Sequence, residues 1–299
     1  MLADMTESRY EDDDVVRQLT SEEKEYAAKY LNETDEGRAN AVAEIRRWLL
    51  ENDNMCSRTD EFFILRFLRA CKFDIEKAKA KMRNYHQQRS DLPEWFANKD
   101  PFLPELQQMF DLGVFLPLRK LDNQERMVII VRPTLHDPYK QQISDVLKVC
   151  MIVFDLSSRS HVSGSLRGVF AIIDMQGVRF GHALQLRPNV IKSLVHSWQG
   201  CCPIRIQSIN FINVPIYVDV VLSIFKQFMN AKLKQRLYIS RQGVRNSCRE
   251  LPTEILPTEY GGTDCSLQEL KEYWKKMAIE NRDWLANDEK YKMLSESAK

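Results

Sequence analysis

Apolar residues recur at helical spacing through roughly the first ninety positions, then give way to short β-branched runs separated by helical stretches. Thr20 and Glu23 are placed as a capping box that opens a first helix. A second helix is predicted over 34–52, with Ala41, Val42, Ile45, Leu49 and Leu50 on one stripe. A third begins near Thr59 and carries Phe62, Phe63, Leu65, Phe67 and Leu68. A fourth runs from a good N-cap, Asp74, to about Arg89. No strand interrupts this helical module.

After Leu92-Pro93 the texture changes. Gly113–Leu118 reads as a short strand with a turn at Asp122-Asn123, and Met127–Val131 as a β-branched strand. A helix is predicted over 144–157. Gly168–Asp174 is then a nearly continuous apolar strand of the kind buried on both faces, ended by Gly177. A helix over 187–198, a strand over 205–213, an apolar helix over 214–229 and a last short strand near Leu237–Ile239 complete the alternation. Strands alternating with helices predict an α/β sheet with crossover connections. From Ser266 the pattern is helical again, with Ser266 and Glu269 as a second capping box.

The helix over 214–229 departs from the usual surface pattern. Pro215 suits a first helical position. Besides a tyrosine hydroxyl, its polar side chains are Asp219, Ser223, Lys226 and Gln227, which fall in one stripe roughly 100° wide. Such a helix is nearly buried, or covers an apolar cavity, or touches lipid. The preceding strand is also apolar, so the two form candidate walls of one chamber. Lys232, Lys234 and Arg236 follow directly. An apolar face beside a basic cluster suits docking at an anionic membrane; the cluster alone also suits a solvated helix end.

Charge and composition narrow the function classes. The 299 residues include 43 Lys+Arg and 42 Asp+Glu. This balance predicts no general attraction to nucleic acid or membrane, so any electrostatic site is a local cluster. No apolar run reaches the length of a membrane span, and the acidic start MLADMTESRYEDDD is not expected to be a signal peptide. Seven cysteines without CxxC spacing suggest reduced thiols in the cytosol. Adjacent Cys201 and Cys202 fit small apolar positions better than a redox pair. GxSxG, P-loop, GxGxxG and HExxH motifs are absent, and His86, His136, His161, His182 and His196 lack metal-ligand spacing. Asp174, at a strand end, is the one carboxylate whose position fits a catalytic role in an α/β enzyme. The chain therefore reads as a non-enzyme.

Several segments together carry a resemblance. Phe63-Ile-Leu-Arg-Phe-Leu-Arg-Ala-Cys-Lys-Phe-Asp74 resembles the N-terminal helical signature of CRAL-TRIO (Sec14-like) proteins. Gly168-Val-Phe-Ala-Ile-Ile-Asp174 with Gly177, Cys202-Pro203-Ile-Arg205, Ile212-Asn213-Val-Pro215 and Leu256-Pro-Thr-Glu-Tyr-Gly-Gly262 resemble the lipid-binding domain in order and spacing. The likeness covers residues 20–265 and is nearest to the α-tocopherol transfer protein and cellular retinaldehyde-binding protein branch, especially its invertebrate members.

The resemblance implies a tail over 1–18, a helical module over 19–95, a mixed-sheet α/β lipid-binding domain over 96–265 and a C-terminal helical extension over 266–299. It implies a cavity walled by Leu147, Cys150, Phe154, Val169, Ala171, Ile173, Leu194, Trp198, Ile206 and Ile209. Val218, Val221, Leu222 and Phe225 would face it from a mobile gate over about 213–236. Arg205, Lys232 and Arg236 match three basic positions that bind a phosphoinositide head group. Gln207 stands where a fourth is expected, and Cys71 replaces an arginine, with Lys72 adjacent. Ile204 fills the glutamate position of the phosphatidylinositol exchangers, which argues against that lipid as cargo. Cys150 and Phe154 replace small hydroxylated positions, so the cargo itself is not carried over. Asp174 becomes a structural position, and no cofactor is implied beyond a bound hydrophobic lipid.

The implied activity is binding and transfer of a tocopherol-, retinoid- or other terpenoid-like lipid by a cytoplasmic monomer that docks transiently on a phosphoinositide-bearing membrane. The alternative is a lipid-dependent regulatory or scaffold protein whose charged C-terminal helix serves a partner.

Overall fold

A computed structural model describes residues 18–294 except His161. Of the expected N-terminal tail only Gln18 falls within it, and His161 lies outside the described residues.

The helical module forms where its caps dictate. Helix α1 (Ser21–Leu31) starts at Thr20, whose hydroxyl accepts the Glu23 N–H at 3.2 Å while Glu23 Oε2 accepts the Thr20 N–H at 2.8 Å. Thr34, Asp60 and Asp74 cap α2 (Asp35–Leu50), α3 (Glu61–Ala70) and α4 (Ile75–Asp91). Ala41, Val42, Ile45 and Leu49 are buried against α3 and α4. Leu50 is not with them: it is 69% exposed, because it sits about 100° round the helix from Leu49. Two further helices were not expected, α5 (Pro93–Phe96) and α6 (Pro104–Leu112), each with proline in its first turn. The helical texture therefore continues past position 95, and that boundary cuts through α5.

Five strands form one mixed sheet in the order β1 (Phe115–Pro117), β2 (Met127–Val131), β3 (Val169–Asp174), β4 (Ile206–Ile212), β5 (Leu237–Ile239). The first pair is antiparallel and the other three are parallel, so each later connection must cross over. Helices α7 (Ile143–Ser160) and α8 (Val162–Arg167) join β2 to β3. Helices α9 (Phe180–Gln185) and α10 (Pro188–His196) join β3 to β4. Helices α11 (Asp219–Phe228) and α12 (Ala231–Lys234) join β4 to β5. The chain ends in α13 (Val244–Ser247), α14 (Leu267–Glu280) and α15 (Arg282–Asp288).

Side-chain alternation divides β2 and β3 between two environments. Val128, Ile130, Phe170 and Ile172 pack in the largest apolar cluster, together with α6, α7 and α14. Ile129, Val131, Val169, Ala171 and Ile173 point the other way, toward a cavity.

The stretch after Ser266 is part of this framework rather than a free extension. Leu270, Trp274, Met277 and Ala278 are buried, and the Trp274 indole donates to the Pro117 carbonyl at 2.9 Å. Helix α15 delivers Asp288, 3% exposed, against Lys99 Nζ at 2.6 Å, Arg89 Nη2 at 2.5 Å and Arg58 Nη2 at 3.2 Å. Burial alone would raise the Asp288 pKa, but Arg89, Lys99 and Arg58 outweigh it and hold the carboxyl well below its usual range.

Asp288→Asn leaves buried Arg89 and Lys99 and partly buried Arg58 short of a counter-charge, so its expected cost at neutral pH is about 3–5 kcal/mol. A depressed carboxylate stabilises the fold above its unfolded pKa and loses that contribution as pH falls toward the folded value. Urea denaturation of both proteins at pH 7 and pH 3 should therefore show the gap narrowing in acid; an equal gap at both would contradict this account.

Candidate functional site

A cavity of about 650 Å³ lies between the sheet and helices α4, α7, α10 and α11, a volume typical of small-molecule sites. All ten expected wall residues line it: Leu147, Cys150 and Phe154 from α7, Val169, Ala171 and Ile173 from β3, Leu194 from α10, Trp198 from the following turn, and Ile206 and Ile209 from β4. Ile206 and Ile209 are three positions apart, which a regular strand would place on opposite faces. The β3–β4 register slips between Val169 and Phe170, whose partners are Ile206 and Ser208. The extra residue, Gln207, shifts the parity, so Ile206, Ile209 and Phe211 all reach the cavity.

The gate also differs from a plain helix over 214–229. Pro215 precedes a single 3₁₀ turn at Ile216–Val218, and the α-helix begins only at Asp219. Val218, Val221, Leu222 and Phe225 line the cavity, while Asp219, Ser223, Lys226 and Gln227 face solvent. Phe225 anchors the helix, stacking on Trp198 at 5.8 Å and meeting Phe211 edge-on at 6.3 Å.

Burial pushes the Cys150 and Cys201 thiols up to about 12, so these wall residues stay neutral and behave as small apolar groups. All seven cysteines are free. Asp174 serves the framework: its Oδ1 accepts from Asn213 Nδ2 at 2.8 Å, and its Oδ2 accepts from the Tyr260 hydroxyl at 2.6 Å. Of the described histidines, His136 and His182 stand at the cavity, ring to ring at 4.8 Å, with His182 Nδ1 accepting the Arg179 N–H at the start of α9.

Other lining residues escaped the sequence reading. Tyr85 and Gln88, three apart on one face of α4, bring the helical module into the wall, and Phe96 of α5 joins them. Phe180 and Leu184 of α9 line the mouth yet remain 71% and 58% exposed. Their signal in the sequence was a pair of large apolar residues at i, i+4 in a segment left between two elements.

The basic positions are not equivalent. Arg205 is buried, donates to the Leu166 carbonyl and bonds to Tyr26. Arg236 is half-buried and donates to the Ile206 carbonyl, whereas Lys232 is exposed. Partial burial lowers the Lys232 pKa first; Arg236, Lys72, Arg205 and Lys81 lower it further. That list defines a five-cation cluster, completed from the helical module by Lys72, next to Cys71, and by Lys81, which sequence reasoning did not find. Gln207 turns its amide to the Arg167 carbonyl instead.

Comparisons with known proteins agree with this architecture. The family model described as CRAL/TRIO domain matches residues 113–262, and one described as Pinta-like, UBA domain matches residues 34–106. The chain is 29% identical to human α-tocopherol transfer protein-like over 238 residues, covering 79% of this chain and 69% of that one. It is 27% identical to mouse clavesin-2 over 249 residues, 82% of this chain and 75% of the relative. The crystal structure of Sfh5 superposes with a TM-score of 0.50 at 14% identity, over 80% of this chain and 92% of Sfh5, a likeness of fold.

Phe225→Ala removes the aromatic anchor of the gate, so local opening of α11 should become easier by roughly 2–4 kcal/mol. Hydrogen exchange should then accelerate over 219–229 while β3 stays protected. Uniform loss of protection through the sheet would mean that Phe225 stabilises the whole domain instead.

Proposed function

This chain belongs to the CRAL/TRIO domain family, and on that premise we propose that it is a non-enzymatic carrier that encloses one hydrophobic lipid of terpenoid size beneath α11. The observation that carries the reading is the cavity of about 650 Å³, walled almost wholly by apolar side chains and closed by a helix whose polar stripe faces out. At about 25 cal/mol per Å², enclosing roughly 400 Å² of apolar cargo surface gives on the order of 10 kcal/mol before the costs of association. The names of the relatives, one of them a tocopherol transfer protein-like chain, support transport over catalysis.

The carrier acts as a monomer in the cytoplasm and unloads on an anionic membrane. Two features of the surface support this. Phe180, Leu184, Tyr217 and Val220 line the mouth and are all more than half exposed, with Ile216 beside them at 68%; an apolar rim of this kind marks a contact surface. Past the other end of the gate stands the cluster around Lys232, with no carboxylate in ion-pair range of Lys72, Lys81, Lys232 or Arg236 among the described residues. Apolar insertion and phosphate attraction together suit an interfacial dock. A phosphoinositide head group meets Lys232 and Arg236 first, with Arg205 beneath them. No helix among the described residues is long and apolar enough to cross a membrane.

Two measurements test the proposal. Transfer of a fluorescent terpenoid from donor to acceptor vesicles should accelerate with the protein and accelerate further when the acceptors contain phosphoinositide; tight binding without transfer would sink the carrier reading. Lys232→Ala with Arg236→Ala should lower vesicle association at least tenfold and leave cargo affinity in solution within about twofold, since neither residue lines the cavity. Loss of cargo binding would make the pair structural.

A further inference from the structure

The cavity is not uniformly apolar, and the polar groups that line it are unequally occupied. The Thr134 and Tyr217 hydroxyls donate to the Gln176 and Val178 carbonyls. The Gln88 amide donates to the Ser193 carbonyl at 2.9 Å, and its oxygen accepts from Ser197 Oγ at 2.8 Å. Tyr85 and Asp155 differ. The Tyr85 oxygen accepts from Arg89 Nη1 at 3.0 Å, but its own proton has no acceptor among the described residues. Asp155 Oδ2 is buried and accepts no hydrogen bond; Arg89 Nη1 and Lys99 Nζ each lie 3.7 Å away.

The two groups are neighbours, because the Tyr85 hydroxyl and the Asp155 carboxylate flank the same guanidinium nitrogen of Arg89. One unspent donor and one unspent acceptor thus lie at the seam between α4 and α7, and both residues belong to the cavity lining. Burying unmatched polar groups beside an apolar ligand is costly. A group that accepts one hydrogen bond and donates another removes both costs. A hydroxyl does this; an ether or an aldehyde accepts only, and a hydrocarbon does neither. A carboxylate only accepts and would face Asp155, the one acidic side chain among the described lining residues.

We infer that the cargo is an alcohol or phenol, bound with its hydroxyl accepting from Tyr85 and donating to Asp155. The inference rests on the carrier reading and narrows its cargo class to hydroxylated lipids, setting aside free fatty acids and hydrocarbons. It also makes the helical module a specificity element, since α4 supplies the donor.

The test displaces an apolar dye, Nile red, from the full chain with geranylgeraniol, its methyl ether and geranylgeranoic acid. The alcohol should bind about tenfold tighter than the ether, the ratio expected for a hydrogen bond lost with its partner left buried, and the acid more weakly than either. Tyr85→Phe should bring the alcohol-to-ether ratio toward one. Asp155→Asn should raise the acid at least tenfold relative to the alcohol. Using ratios within each variant removes any shared loss from partial unfolding. Equal binding of all three by the unmodified protein, or ratios unmoved by both substitutions, would overturn the assignment while leaving the carrier reading intact. Failure of all three to displace the dye would overturn the carrier reading, and this assignment with it.

Discussion

The buried ion network around Asp288 fixes how the parts of this protein meet. Arg58 and Arg89 come from the helical module, Lys99 from the link after it, Asp155 from α7 and Asp288 from the last helix. Three cations and two carboxylates lie where an unpaired charge would cost several kcal/mol. The module therefore cannot shift against the sheet domain without exposing or orphaning one of them. This constraint seats α4 on the cavity, so that Tyr85 and Gln88 become wall residues. It also explains why Asp155 can be both a lining residue and a charged one: the cations behind it balance the carboxylate that the cavity leaves without a hydrogen bond.

The elements whose boundaries are set by local chemistry were legible in the sequence. Thr20, Asp74 and Ser266 cap helices where the capping patterns placed them, and β5 spans the expected Leu237–Ile239. The resemblance placed Val169, Ala171 and Ile173 of β3 at the cavity, and period two puts the three on one face. Features that depend on distant partners were not legible. Nothing local distinguishes Gln207 as a bulge residue; the slip lies beside Gly168, whose φ of 92° accompanies so close an approach to Arg205 that a side chain there would strike the Arg205 carbonyl. Tyr85 and Gln88 sit on a helix with an ordinary polar pattern, and the packing of α4 on the turn at Ser197–Cys201, together with the ion network, aims them inward. Lys81 joins the basic cluster for the same reason, donating to the Gln199 carbonyl at 3.2 Å across that contact.

The C-terminal segment shows how composition can mislead when burial is unknown. Its charge suggested a solvated helix open to a partner, yet its apolar stripe completes the largest cluster and its terminal aspartate closes the ion network. A partner that took this helix would have to replace both.

The gate is held unevenly along its length. At its C-terminal end Gln199 accepts from the Asn230 N–H at 3.0 Å and donates to the Phe228 carbonyl at 3.1 Å, tying the helix to the turn that α4 braces. At its N-terminal end the polar ties are exposed: Tyr217 to the Val178 carbonyl, and Asp219 to Arg241 at 3.2 Å. Exposed ties exchange with water at little cost, so what keeps this end shut is apolar contact. Apolar contact is also what a bilayer can replace, and Ile216, Tyr217 and Val220 already stand in solvent there. The helix is thus anchored where the basic cluster lies and loosest at the apolar rim. On the proposed docking, contact with lipid at that rim would lower the cost of opening the same end that leads into the cavity.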